Sequence, residues 1–299
     1  MGTSGSSRGS GSNTSLVPTW LADPPAGPLP GGADANGEDG ADDGGEDVGG
    51  NDGNPLGNPA LAPAIRLPPE PARFQTARRN FSSFAGSGGT DRGALRRAVR
   101  DYVRSGTRGS ANAIQRMGAS RAAGGNILGV FRGIQRDGVE ATLRRLNLGN
   151  LVGRSPEDVF LGLTDVICSE ADGGSIDEGI ARDAWLETVA ELDRIGIVDV
   201  RALTPAQMQE FFLTLIAHSI EARLFQEIGA NGLRVAADLD DIADFEAQLR
   251  DFIRRSVRDS FSGDITRLNG LSDRQIRDTV DQTYREAWDL LVAWGDAEG

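Results

Sequence analysis

The chain has 299 residues with a formal net charge of −13, 38% hydrophobic and 6% aromatic residues, one His and one Cys. All 31 basic residues are Arg, which excludes chemistry that needs a Lys, such as a Walker A phosphate loop or a Schiff base. A lone Cys168 cannot close an internal disulfide, which fits a reducing cytoplasm, and no run nears the ~18 apolar residues of a membrane span.

Residues 1–72 hold 15 of the 40 glycines, 11 of the 13 prolines and one aromatic residue, Trp20. So little apolar surface cannot offset chain entropy, and a disordered arm is expected here. Residues 1–14 are Gly/Ser-rich. Residues 15–30 set Leu16, Val17, Trp20 and Leu21 among prolines, and the short apolar motif at 15–21 is a candidate partner-binding element that orders on contact. Residues 31–54 carry 8 acids and no Arg, a self-repelling spacer; residues 55–72 are Pro-rich again. Loss of Met1 would expose the amine of Gly2. With no side chain beside it and no Lys competing, Gly2 is the best nucleophilic nitrogen of the chain and a candidate modification site.

Charge divides the remainder. Residues 73–154 carry 16 Arg against 4 acids, and residues 155–299 carry 13 Arg against 30 acids. An Arg-rich basic helical region is therefore expected to pack with an acidic helical region into one core. Arg73, Arg78 and Arg79 stand with Phe74, Phe81 and Phe84 in a loop-like stretch. Thr90 and Asp91 then open a helix with Leu95 and Val99 on its apolar face. Arg96, Arg100 and Arg104 repeat every four residues along it. Together with Arg78, Arg79 and Arg97 they form a candidate basic docking face. Its readings are an acidic protein surface, including the chain's own acidic half, and second a nucleic acid.

Further helices are expected at 108–121, around Ile114 and Met117, at 125–136 and at 138–147. Ser155-Pro156-Glu157-Asp158 supplies an N-cap, a Pro at the first position and acids at the positive helix end. Ser175 with Glu178 forms a capping box for a helix that Gly196 ends. Thr204-Pro205-Ala206-Gln207 opens a long helix, Asp238–Asp241 precede another, and Ser272 with Gln275 opens the last. Ile197–Val200 is strand-like but isolated. The fold is expected to be all-α, a multi-helix bundle of about eight or nine helices, with Phe131, Phe160, Trp185, Phe212, Phe245, Phe252 and Trp288 buried.

Catalytic signals are sparse. Asp238, Asp240, Asp241 and Asp244 could hold Mg²⁺, but acids gather at a helix start because the macrodipole favours them. Glu170, Asp172, Asp177 and Glu178 read the same way. His218 has no paired nucleophile and reads as a packed side chain, and Cys168 as a buried thiol. No catalytic residue, metal or cofactor is assigned, and the expectation is a non-enzymatic protein.

Met1-Gly2-Thr3-Ser4, Leu16-Val17-Pro18-Thr19-Trp20-Leu21 and the Asp/Gly-rich spacer resemble the QatB family of the Qat anti-phage defence systems. Ala77-Arg78-Arg79-Asn80-Phe81, Gly88-Gly89, Leu95, Ala98, Tyr102 and Val103 extend the resemblance, as do Asn126-Ile127-Leu128 and Ser155-Pro156-Glu157-Asp158. The resemblance implies a bacterial, cytoplasmic defence component without a catalytic motif. It also implies three partners: an ATPase, a QueC-like synthase and a TatD-like nuclease. Relatives of the synthase join a carboxyl-bearing deazapurine to an amine, which makes Gly2 the expected acceptor.

Overall fold

Polar caps start five of the described α-helices. In the computed structural model Asp91 accepts from the Ala94 amide at 2.8 Å and Ser155 from the Asp158 amide at 3.1 Å. Ser175 with Glu178, Thr204 with Gln207 and Ser272 with Gln275 each close reciprocal capping boxes. Each bond satisfies an amide that the first turn leaves unpaired. The structure describes residues 73–168, 174–229 and 239–297, the side chains of 239–242 excepted. Gly2 and the Leu16, Val17, Trp20 and Leu21 motif lie outside them, as do Glu170, Asp172 and the side chains of Asp238, Asp240 and Asp241.

Twelve α-helices and no strand occur among the described residues. They are α1 (Gln75–Gly86), α2 (Arg92–Asp101), α3 (Ser110–Gln115), α4 (Gly118–Asp137), α5 (Val139–Arg145) and α6 (Pro156–Gly162), then α7 (Thr164–Ile167), α8 (Ile176–Ala190), α9 (Leu192–Ile195), α10 (Pro205–Leu224), α11 (Leu239–Ser260) and α12 (Asp273–Asp296). Wider π-helical turns extend α2 over Tyr102–Thr107 and α10 over Phe225–Gly229. The count exceeds eight or nine partly because two expected helices break. α6 gives way to α7 at Leu163, and α8 to α9 at Glu191, which leaves two four-residue turns.

Two boundaries correct the sequence reading. Of the stretch expected as a loop with Arg73, Arg78 and Arg79, residues 75–86 form the helix α1, which Arg73 precedes. It has no side-chain cap at Phe74, so no local signal announced it. Burial holds it: Phe81 and Phe84 meet Phe245 edge-on with ring centroids 5.7 Å apart, and Phe81 meets Phe225 at 6.0 Å. The helix expected at 108–121 is also divided. α3 ends at Gln115, and α4 starts at Gly118 and runs unbroken to Asp137. Its start is capped from afar, because the Asp177 carboxylate accepts the Ala119 amide at 2.6 Å.

α10 is the central helix. Its residues from Phe211 to Glu221 are all buried, as a helix surrounded by others requires. α4, α8 and α11 pack on it, and α12 packs on α2, α4 and α11. One continuous core runs from Phe74 to Leu291, so the basic and acidic regions share it. Phe131, Phe160, Trp185, Phe212, Phe245, Phe252 and Trp288 are all buried, as expected. Phe211 joins Phe131, Phe160 and Trp185 at centroid distances of 5.8, 4.8 and 5.5 Å. A second stack runs Phe74–Tyr102–Trp288, each step 5.5 Å. No described helix is long and apolar enough to cross a membrane.

Candidate partner-binding surfaces

The Arg stripe of α2 lies against the C-terminal end of α12. Arg100 donates to Asp101 at 3.0 Å and to the Gly295 carbonyl at 3.3 Å, and Arg104 pairs with Asp296. A Cβ at Gly295 would sit 2.5 Å from the Arg100 Cβ and 2.7 Å from the Arg96 carbonyl, so only glycine lets the helices cross this closely. Arg97 stands 3.9 Å from Asp91. Arg78 turns inward. It donates to the Glu227 carbonyl at 3.0 Å and its guanidinium lies 5.8 Å from the Phe74 ring centre. Arg79 is exposed, and Arg96 is half-buried beside a small cavity. The structure thus divides the candidate face: Arg78, Arg100 and Arg104 engage the chain's own C-terminal half.

The same exchange recurs deeper in the sequence. Arg116 pairs with Glu227 at 3.0 Å, Arg121 grips Asp281 with two bonds of 2.6 and 2.7 Å, and Arg132 reaches Asp273 at 2.5 Å. Charge segregated along the sequence therefore becomes intramolecular ion pairing across the core.

Beside these last two pairs runs the larger cavity, a groove of about 830 Å³ between α4, α5 and the first half of α12. Its floor is α4, where Gly118, Ala122, Gly125, Gly129 and Gly133 recur at helical spacing. A Cβ at Gly125 or Gly129 would meet nothing within 4 Å, so the backbone lies open to a ligand. Arg121, Arg132, Arg136, Arg145 and Arg277 line the groove, against Asp273 and Asp281. The sequence reading did not single out these five arginines. Their signal is the glycine recurrence along one helix face flanked by Arg at 121, 132 and 136, a pattern that shows only once α4 is read as unbroken.

The chain's one His sits in a buried polar network. His218, 3% exposed, places Nε2 3.3 Å from Glu191 and Nδ1 3.6 Å from Glu221. Burial alone would lower its pKa, but the two carboxylates outweigh it and raise it. Glu191 also pairs with Arg254 and Arg194, and these partners bring its pKa down to about 2 against the penalty of burial. Arg250 donates to both oxygens of Glu221 at 3.2 Å. Two carboxylates beside one imidazole favour its protonated form, as in a buried structural tie. Cys168 is buried, and desolvation pushes its thiol up to about 11. Asp177 receives Arg223 and the Ala119 amide, Glu178 serves the cap of α8, and Asp244 is exposed. Among the described residues no group of three His, Cys, Asp or Glu side chains could hold a metal ion.

Comparison with known families matches residues 108–291 to QatB, described as a Qat anti-phage system associated protein. Searches of curated proteins and of solved structures return no match to the chain. The matched span takes in every residue that lines the groove, and by a match over more than half its length the chain belongs to the QatB family.

Proposed function

We propose that the chain is a non-enzymatic component of a Qat anti-phage system that binds partner proteins through its helical domain and presents its N-terminal arm for modification. Family membership supports the defence setting. The observation that carries the binding role is the groove, lined within the matched residues by an open helix backbone and five arginines, of which Arg121, Arg132, Arg136 and Arg145 pair with Asp281, Asp273 and Asp137. An acidic or phosphate-bearing segment would find charge complementarity there. The partners are the other Qat components: the ATPase, the QueC-like synthase and the TatD-like nuclease.

In this reading the apolar motif Leu16, Val17, Trp20 and Leu21 docks a partner while Gly2 offers its amine. The QueC-like partner activates a carboxyl group, and the amine of Gly2 displaces the activating group to form an amide. Phage protection by Gly2→Leu tests the proposal. Leu at this position blocks removal of Met1, so protection should be lost while the helical domain stays folded. Full protection by that variant would overturn the modification role. A second reading, nucleic-acid binding, draws on the same groove arginines and on Arg79, Arg96 and Arg97; tight binding with a steep salt dependence in a gel shift would favour it.

A further inference from the structure

The smaller cavity, about 330 Å³, lies where α2, α11 and the end of α12 meet. It is separate from the groove, shares no residue with it, and lies mostly outside the residues matched to the family. Its chemistry has two sides. One wall is aromatic: Trp294, half-buried, lies 5.4 Å from Phe252 with the rings tilted by 43°. Leu95, at 2% exposure, closes the apolar wall. The lining is also cationic. Arg92 and Arg96 project from α2 one helical turn apart, and Arg255 from α11 faces the same space.

Two further polar groups complete the lining. Gln248 and Asp251 stand one turn apart on α11, an amide that both donates and accepts and a carboxylate that accepts. The Arg255 Nε bonds to the Asp251 carbonyl at 3.1 Å, which orients its planar head. Three guanidinium groups against one carboxylate leave the pocket cationic. A pocket of this size, with an apolar wall and a few convergent polar groups, has the character of a small-molecule site.

We infer that this cavity binds a purine nucleoside monophosphate, with the base against Trp294 and the phosphate on Arg92, Arg96 and Arg255. Asp251 accepts from the exocyclic amine of the base and Gln248 reads a neighbouring ring edge. An aromatic ring alone would waste the cationic side, and inorganic phosphate alone would waste the Trp294 wall. The nucleotide satisfies both. The same chemistry has two sources, a free nucleotide and the 5′-phosphorylated end of a single strand.

The test is a titration of the full chain with AMP, followed by tryptophan emission and by saturation-transfer NMR on the ligand. Trp185 and Trp288 are fully buried, and Trp294→Phe keeps Trp20 of the arm, so a quench that this substitution abolishes reports this site. Binding below about 1 mM is expected, with inorganic phosphate weaker by at least tenfold. Arg92→Ala/Arg255→Ala, changing two exposed side chains, should weaken AMP at least tenfold with the circular dichroism of the helices unchanged. A 5′-phosphorylated dinucleotide run alongside distinguishes the sources: tighter binding than AMP assigns strand ends, and weaker binding assigns free nucleotide. No saturation transfer from either ligand at about 5 mM, or equal binding by the double variant, would overturn the inference.

Discussion

The His218 network makes a pH prediction with a fixed sign. His218 is the chain's one His, and no other side-chain type titrates near neutrality at its ordinary value. Its folded pKa lies above the unfolded value of ~6.5, because Glu191 and Glu221 outweigh the cost of burial. The folded state thus binds more proton than the unfolded one as pH rises above that value. The stabilisation is complete below the unfolded pKa and is lost as pH rises through the folded one. One proton limits the slope to about 1.4 kcal/mol per pH unit. Urea unfolding at intervals from pH 6 to 7.5, below the range in which the unfolded Cys168 thiol ionises, should show stability falling, and His218→Gln should flatten the curve. Glu191→Gln should cost about 2–3 kcal/mol near neutral pH, below the ~3–5 of a fully buried broken pair, since the Glu191 side chain keeps 18% exposure. A parent curve that rises through this window, or a slope that survives in His218→Gln, would refute the reasoning.

Two packing substitutions have different expected costs. Phe211→Ala removes the ring shared by Phe131, Phe160 and Trp185 and should lower unfolding free energy by ~3–5 kcal/mol, read from the urea midpoint. Gly295→Ala drives a methyl into the Arg96 carbonyl and Arg100 side chain. It should cost ~1–3 kcal/mol by the same measurement, because backbone and not a flexible tip must shift.

How much was legible depended on whether the cause was local. Ser155, Ser175, Thr204 and Ser272 bond amides within their own first turn, so their helices could be read directly. The apolar stripes of α4, α6, α8, α10, α11 and α12 named the seven aromatics found buried for the same reason. α1 was missed because its cause is the Phe225 and Phe245 rings, far away in sequence. The unbroken α4 was missed because its cap is Asp177. That second omission hid the groove, since its glycine floor takes shape only along a continuous helix. The basic stripe on α2 was visible as charge. Its contacts with Asp296 and the Gly295 carbonyl were not, because nothing local fixes where α12 crosses.

The central claim is that the arm is presented for modification at Gly2 in a Qat defence complex. Its most direct test is the intact mass of the chain purified from cells that carry the other Qat components, compared with the chain expressed alone. Both forms should lack Met1. An added mass is expected only in the company of the partners, mapped by fragmentation to Gly2 and absent when the QueC-like partner is inactivated. Identical masses in the two preparations, under conditions where the system protects cells from phage, would contradict it.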